Sequence, residues 1–194
     1  MSGLIVPFKG FIPKVDPSAF IAPNATLIGE VEIGANCGIW YGCILRGDGP
    51  GIRIGENSNL QDGTVVHVAG RGLMTIVGRN VSVGHMALLH ACEVHDDAFI
   101  GMNSTVLDGA VVESGAMVAA GAVVTPRKIV RSGELWAGNP ARKLRDITEK
   151  DREMFRRVVG HYIELANAHR LANAHRPIEQ KAGEQKAAEQ KAAE

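Results

Sequence analysis

The chain has 194 residues, the length of one domain with a terminal extension. Its 21 lysines and arginines are matched by 21 acidic residues, so no global field recruits nucleic acid or an anionic membrane surface, which argues against a nonspecific nucleic-acid binder. No stretch approaches the roughly 20 apolar residues of a membrane span, and the segment Met1 to Gly10 lacks a secretory pattern, so a cytoplasmic protein is expected.

Glycine is abundant, with 23 copies, and only 5% of residues are aromatic, a mix that favours short strands and many turns. Residues 1–23 hold four of the eight prolines (Pro7, Pro13, Pro17, Pro23) and read as an extended N-terminal arm. From 24 to 130 the period is neither 3.6 nor 2. Aliphatic residues recur every six positions at Ile33, Ile39 and Leu45, then Ile54, Leu60 and Val66, then Val77 and Val83, then Val94, Ile100, Val106, Val112, Val118 and Val124. Each hexad is one short strand plus one turn, and three hexads make one triangular coil of a parallel β-helix with the aliphatic residue pointing inward. These hexads resemble those of the left-handed β-helix proteins. The left hand is implied by that resemblance, since the general rule for parallel crossovers gives a right hand. The expected fold is thus an all-β solenoid, a left-handed parallel β-helix of hexapeptide repeats with a C-terminal α-helix packed along it.

Three irregularities interrupt the count. Nine residues between Leu45 and Ile54 eject a loop around Gly47 to Gly51, and eleven between Val66 and Val77 eject another at Ala69 to Leu73. Eleven between Val83 and Val94 are one short of two hexads, which places a frame slip between His85 and His90. Residues 131–147, including GELWAGNPA, read as a turn-rich exit in which Trp136 is a packing residue. Thr148 with Asp151 marks the start of a helix over 148–172. Residues 173–194 form a low-complexity tail of EQKA units after a tandem LANAHR, expected to be a solvated end. The three cysteines, Cys37, Cys43 and Cys92, make no CxxC pair and read as small buried hydrophobes.

Chemistry concentrates at the irregularities. Counted by faces, His67 and His90 each follow the aliphatic residue of the same face, one coil apart, and strand spacing of about 4.8 Å lets two such imidazoles converge on one metal. His85 belongs to a different face and reaches that metal only from a neighbouring subunit, if three prisms pack around an axis. Three histidines with an open fourth position match a catalytic zinc site. Asp62 lies one coil below His85 and is placed to orient its imidazole, with Gln61 adjacent. Arg46 lies one coil below His67, with Asp48 two residues on. His95, His161, His169 and His175 lack such context, the last two reading as products of the tail duplication.

The stretches GIWYGCILRGD, IGENSNLQDGTVVH and VGHMALLHAC resemble the gamma-class carbonic anhydrases and their bacterial relatives, over about residues 8 to 145. The resemblance implies a homotrimer with three interfacial metals held by His67 and His90 of one subunit and His85 of the next. It implies an intersubunit ion pair of Arg46 and Asp48, an active-site Gln61, and Asp62 as its carboxylate partner. The implied reaction is reversible hydration of CO2 to bicarbonate by metal hydroxide, with zinc, iron(II) or cobalt(II) as suitable ions. Gly49 and the short loop Ala69-Gly70-Arg71-Gly72 stand where archaeal members carry acidic proton-shuttling residues, so low activity is expected. The alternatives are a metal-dependent hydrolase or thioesterase, a CoA-linked acyltransferase suggested by GNPAR at Gly138 to Arg142, and a trimer with a purely structural metal.

Overall fold

The structure is a computed structural model that describes residues 3–70 and 72–174. The chain winds into a parallel β-solenoid of about seven coils with three flat faces. Face 1 stacks Leu27, Leu45, Val66, Leu89, Val106 and Val124 in register. Face 2 stacks Ile33, Ile54, Val77, Val94, Val112 and Val130. Face 3 stacks Ile21, Ile39, Leu60, Val83, Ile100, Val118 and Trp136. The face 1 column is wholly buried, and each such side chain contributes about 1.5–3 kcal/mol of transfer free energy.

The hexad carries two further positions that the aliphatic count misses. Two residues before most inward aliphatics stands a buried residue that is usually small, such as Thr64, Ala87, Ser104 and Ala122 on face 1, which fills the inside of the corner. Cys37, Cys43 and Cys92 all occupy this position, and burial pushes their thiols up to about 11, 12 and 12, so none is a ready nucleophile. One residue earlier the backbone turns left-handed, and Asn36, Asn57 and Asn80 with Asp97 take this place at one corner. Their side chains bond in sequence, Asn36 to Asn57 at 3.2 Å, Asn57 to Asn80 at 3.2 Å and Asn80 to Asp97 at 3.0 Å, a polar ladder that fixes the stacking register.

Several expectations are corrected. Residues 1–23 are not the extended arm that the sequence predicts: Leu4–Val6, Lys14–Val15 and Phe20–Ile21 pair with faces 1, 2 and 3 and close the first coil. Prolines at its corners hid the period. The frame slip lies after His90, not before it: Val83 to Leu89 is a full hexad, and the missing residue falls at Ala91, whose φ of 49° turns the corner directly behind the imidazole. The loop after Leu45 is a bulge inside the continuous strand Ile44–Ile54, where the register steps from Gly29 opposite Gly47 to Val31 opposite Ile52. The second loop closes through an Ala69 to Leu73 bridge, and its Arg71 lies outside the described residues.

The exit is a β-hairpin, Glu134–Ala137 against Arg142–Asp146, across a cis Asn139-Pro140 bond. The helix Glu149–Ala174 runs two residues into the predicted tail, and the remainder, His175 included, lies outside the described residues. It packs along face 3 against Phe20–Ile21, Gly38–Ile39, Asn59–Leu60 and Ser82–Val83. Phe155 stacks on Phe99 at 5.0 Å. His169, read from sequence as a duplicated tail residue, instead packs among Phe20, Trp40 and Tyr41, with ring centroids 5.5, 5.1 and 5.8 Å away. The Tyr41 hydroxyl lies 3.0 Å from its Nδ1. The tandem repeat obscured this role because helical position, not repeat phase, decides what faces the sheet.

Candidate metal centre

Face 1 carries no covering element among the described residues, and its outward side chains alternate two columns along the stack. One column is apolar at the centre, with Ile44 at 43% and Val65 at 37% exposure. The other holds Arg46, His67 and His90 on successive rungs, with Arg46 opposite His67 and His67 opposite His90 in register. A residue one position past an inward aliphatic must point outward, so the stacking of the two imidazoles follows from the strand alternation alone.

The two rings form the middle of a polar chain parallel to the solenoid axis. His67 Nδ1 and His90 Nε2 face each other at 3.1 Å. Behind them, Asp48 Oδ1 lies 3.0 Å from His67 Nε2 and Asp108 Oδ1 lies 2.6 Å from His90 Nδ1. Each carboxylate can accept an N–H from the ring it touches, which in a neutral imidazole puts the lone pair on the other nitrogen. The facing nitrogens, 3.1 Å apart, can share either a proton or a cation. Two ligands 2.0–2.1 Å from one tetrahedral metal stand about 3.3 Å apart. The observed gap is within a few tenths of an ångström of that span, so the pair fits a divalent metal. Among the described residues of one chain, no three His, Cys, Asp or Glu side chains are placed to hold a metal ion together.

Asp48 owes its position to the bulge: the added residues let the strand turn its carboxylate back over Arg46, whose Nη1 donates to Oδ2 at 2.5 Å. Burial raises this carboxyl's pKa, but the bonds from Arg46 and His67 outweigh it and hold the group below the usual carboxylate range. Within one chain, then, the Arg46–Asp48 pair closes on itself, whereas the sequence resemblance implies an intersubunit pair.

His85 stands apart, at the corner between faces 3 and 1. Its Nδ1 is 2.9 Å from Asp62 Oδ2, the carboxylate one coil below. Its Nε2 is 3.4 Å from the Tyr162 hydroxyl, delivered by the C-terminal helix. Burial first, and the Asp62 charge second, raise the Tyr162 phenol above its ordinary pKa and keep it protonated. Met86 and Met102 project beside His85 with 66% and 56% exposure. Met86 itself turns left-handed with φ 59°, a conformation that costs a non-glycine residue about 1 kcal/mol.

Gln61 is buried, its Nε2 donating to Asn59 Oδ1 at 3.2 Å, while Asn59 donates to Ser82 Oγ at 2.9 Å. This chain of amides connects Gln61 to face 3 and to none of the three histidines within one chain. Trp136 is half-buried against the core and donates to Glu134 at 2.8 Å, a packing role. Two site neighbours escaped the sequence reading. Asp108 stands on the next coil, two residues past Val106, the register partner of Leu89; Tyr162 had no such signal, because its partner is distant in the chain. Among the described residues no helix is long and apolar enough to cross a membrane.

Comparison with known proteins gives two repeat families, "Hexapeptide repeat of succinyl-transferase" over residues 28–67 and "Bacterial transferase hexapeptide (six repeats)" over residues 91–126. The chain is 48% identical to Gamma carbonic anhydrase 2, mitochondrial, of Arabidopsis thaliana, over 84% of this chain and 60% of that protein. It therefore spans about three-fifths of the length of this relative. It is 38% identical to a carbonic anhydrase of Geobacillus kaustophilus, over 83% of this chain and 88% of that one. Among solved structures, a hexapeptide transferase family protein from Anaplasma phagocytophilum superposes with a TM-score of 0.83 at 48% identity, over 87% of this chain and 99% of that one.

Proposed function

The chain belongs to the family of gamma-class carbonic anhydrases and related bacterial hexapeptide-repeat proteins, and we propose that it catalyses the reversible hydration of CO2 to bicarbonate as a homotrimer. The observation that carries this reading is the pair of facing ring nitrogens of His67 and His90, 3.1 Å apart, each ring backed by a carboxylate. His85 of a neighbouring subunit completes the ligand set. Zinc, iron(II) or cobalt(II) would be held by that set and would supply the Lewis-acid activation of water that hydration needs near neutral pH.

The chain's own side chains do the rest. Asp62, 2.9 Å from His85 Nδ1, orients the ring, and a metal at the interface would take Nε2 in place of its 3.4 Å contact with the Tyr162 hydroxyl. Gln61, anchored through Asn59, offers an amide to orient a substrate oxygen. Uncovered Ile44 and Val65 next to the histidine pair, and exposed Met86 and Met102 next to His85, support a docking of face 1 on the neighbouring corner. Absence of a carboxylate at Gly49 leaves proton export to buffer and water, which fits a modest turnover.

Stopped-flow CO2 hydration tests the reading on protein loaded anaerobically with zinc or iron(II), with metal content assayed. Activity is expected in the loaded wild type and lost in His90→Ala. A fully loaded trimer without activity overturns carbonic anhydrase chemistry. The transferase-named repeats over 28–67 and 91–126 favour acyl transfer from CoA as the second reading, and release of CoA from acetyl-CoA by the metal-free protein is the result that favours it.

A further inference from the structure

Asp108 is the one carboxylate of the polar chain whose charge is not shared with an arginine or lysine among the described residues; Asp48, at the other end, is paired with Arg46. Its backbone is pinned from both neighbouring coils. Gly109 donates to the Ala91 carbonyl at 2.7 Å, and the Asp108 carbonyl accepts from Arg127 at 2.9 Å. Gly109 turns the corner with φ 66°, which directs the preceding side chain back down the stack. The result is a carboxylate held 2.6 Å from His90 Nδ1, on the side of the ring away from His67.

We propose that Asp108 is a positioning residue for metal binding: it fixes His90 as the Nδ1–H tautomer, aims Nε2 at His67, and adds a negative charge behind the ligand. This deepens the metal reading above and rests on it. The shortened corner at Ala91 makes such a prop necessary. With one residue missing directly behind His90, the ring lacks the extra turn residue that follows His67, and the next coil's carboxylate supplies the constraint. A hydrogen-bonded carboxylate behind a metal-binding imidazole raises its basicity and removes ring rotation that binding would otherwise have to freeze.

The test compares wild type with Asp108→Ala and Asp108→Asn, by two measurements. Nitrogen NMR on the metal-free, histidine-labelled protein reports the His90 tautomer. Competition with a chromogenic chelator reports zinc affinity. The wild type is expected to show protonated Nδ1. Asp108→Ala is expected to lose that preference and about 10- to 100-fold in zinc affinity. Asp108→Asn, which keeps an acceptor oxygen but no charge, is expected to keep the tautomer and lose a smaller factor. An alanine variant with wild-type tautomer and wild-type affinity overturns the proposal. If the wild type takes up no zinc, the metal reading falls, and an unchanged tautomer in Asp108→Ala still decides against Asp108 on its own.

Discussion

Glycine after the inward aliphatic is a spacing device, and its removal at Gly101 has a cost that can be worked out. A Cβ added there points into the next coil and meets the backbone of Ala120, with Ala119 C at 2.6 Å and Ala120 Cα at 2.8 Å. Ordinary contact needs about 3.4 Å or more, and the opposing atoms are main chain, so the two coils must part locally by close to 1 Å. The Gly101 to Val118 bond, now 2.7 Å, lengthens with them. Overpacking costs about 1–3 kcal/mol, and the weakened ladder bond adds about 0.5–1.5 kcal/mol. Gly101→Ala should therefore destabilise by about 1.5–4.5 kcal/mol. Gly121 is the matched control: nothing lies within 4 Å of its Cβ position, but its φ is 68°, so alanine there costs about 1 kcal/mol of backbone strain alone. Gly70 has neither constraint and should change stability by less than about 0.5 kcal/mol. Urea unfolding at one fixed protein concentration measures all three, since assembly links stability to concentration. Equal losses at Gly101 and Gly121 would refute the steric account.

Asp151 accepts from Thr148 N and Oγ1 at 2.8 and 2.6 Å and from Arg145 at 2.6 and 3.0 Å, bonds that hold its carboxyl far below the ordinary range. A depressed pKa gives stability that is complete above the unfolded value of about 3.9 and fades as pH falls through the folded one. Asp151→Ala should thus cost about 1 kcal/mol at neutral pH, with the gap to wild type shrinking only below about pH 4 in acid titrations. His169→Ala removes the Tyr41 bond and three ring contacts, and should raise amide exchange in the C-terminal half of the helix while the solenoid stays protected. Gln61→Ala should lower CO2 hydration with metal content unchanged; unchanged turnover would remove it from the catalytic set. Cys37, Cys43 and Cys92 should resist a thiol reagent in native protein at pH 8 and react only on unfolding.

The inward aliphatics, the existence of three interruptions and the face assignment of His67 and His90 could be read from spacing, because a solenoid converts sequence separation into position on a face; the place of the frame slip, after His90, could not. Residues 4–21 were illegible for the opposite reason: Pro7, Pro13 and Pro17 break the hexad spacing, yet the strands between them still pair. The corner rule of a left-handed residue followed by a small one explains why Asn57, Gly63 and Met86 are equivalent places although the residues have little in common. Asp108 was legible in principle as the residue two past Val106, one coil beyond His90. Tyr162 and His169 were not, since their partners Tyr41 and His85 are set by how the helix lies on face 3, which no local pattern encodes.

The exit hairpin acts as a ruler. The helix starts where the solenoid ends and runs back over face 3, so the number of coils beyond His85 decides which helical residue arrives above it. One extra coil would carry the start of the helix outward by about 4.8 Å, close to three residues of helical rise at 1.5 Å each. That step is slightly short of a full turn, so a neighbour of Leu165 would land at His85 rotated off by about 40°. Coil number in this chain is therefore tied to the Tyr162–His85 contact, and a relative that gains or loses a coil beyond the site must shift its helix sequence by about three residues to keep the same contact.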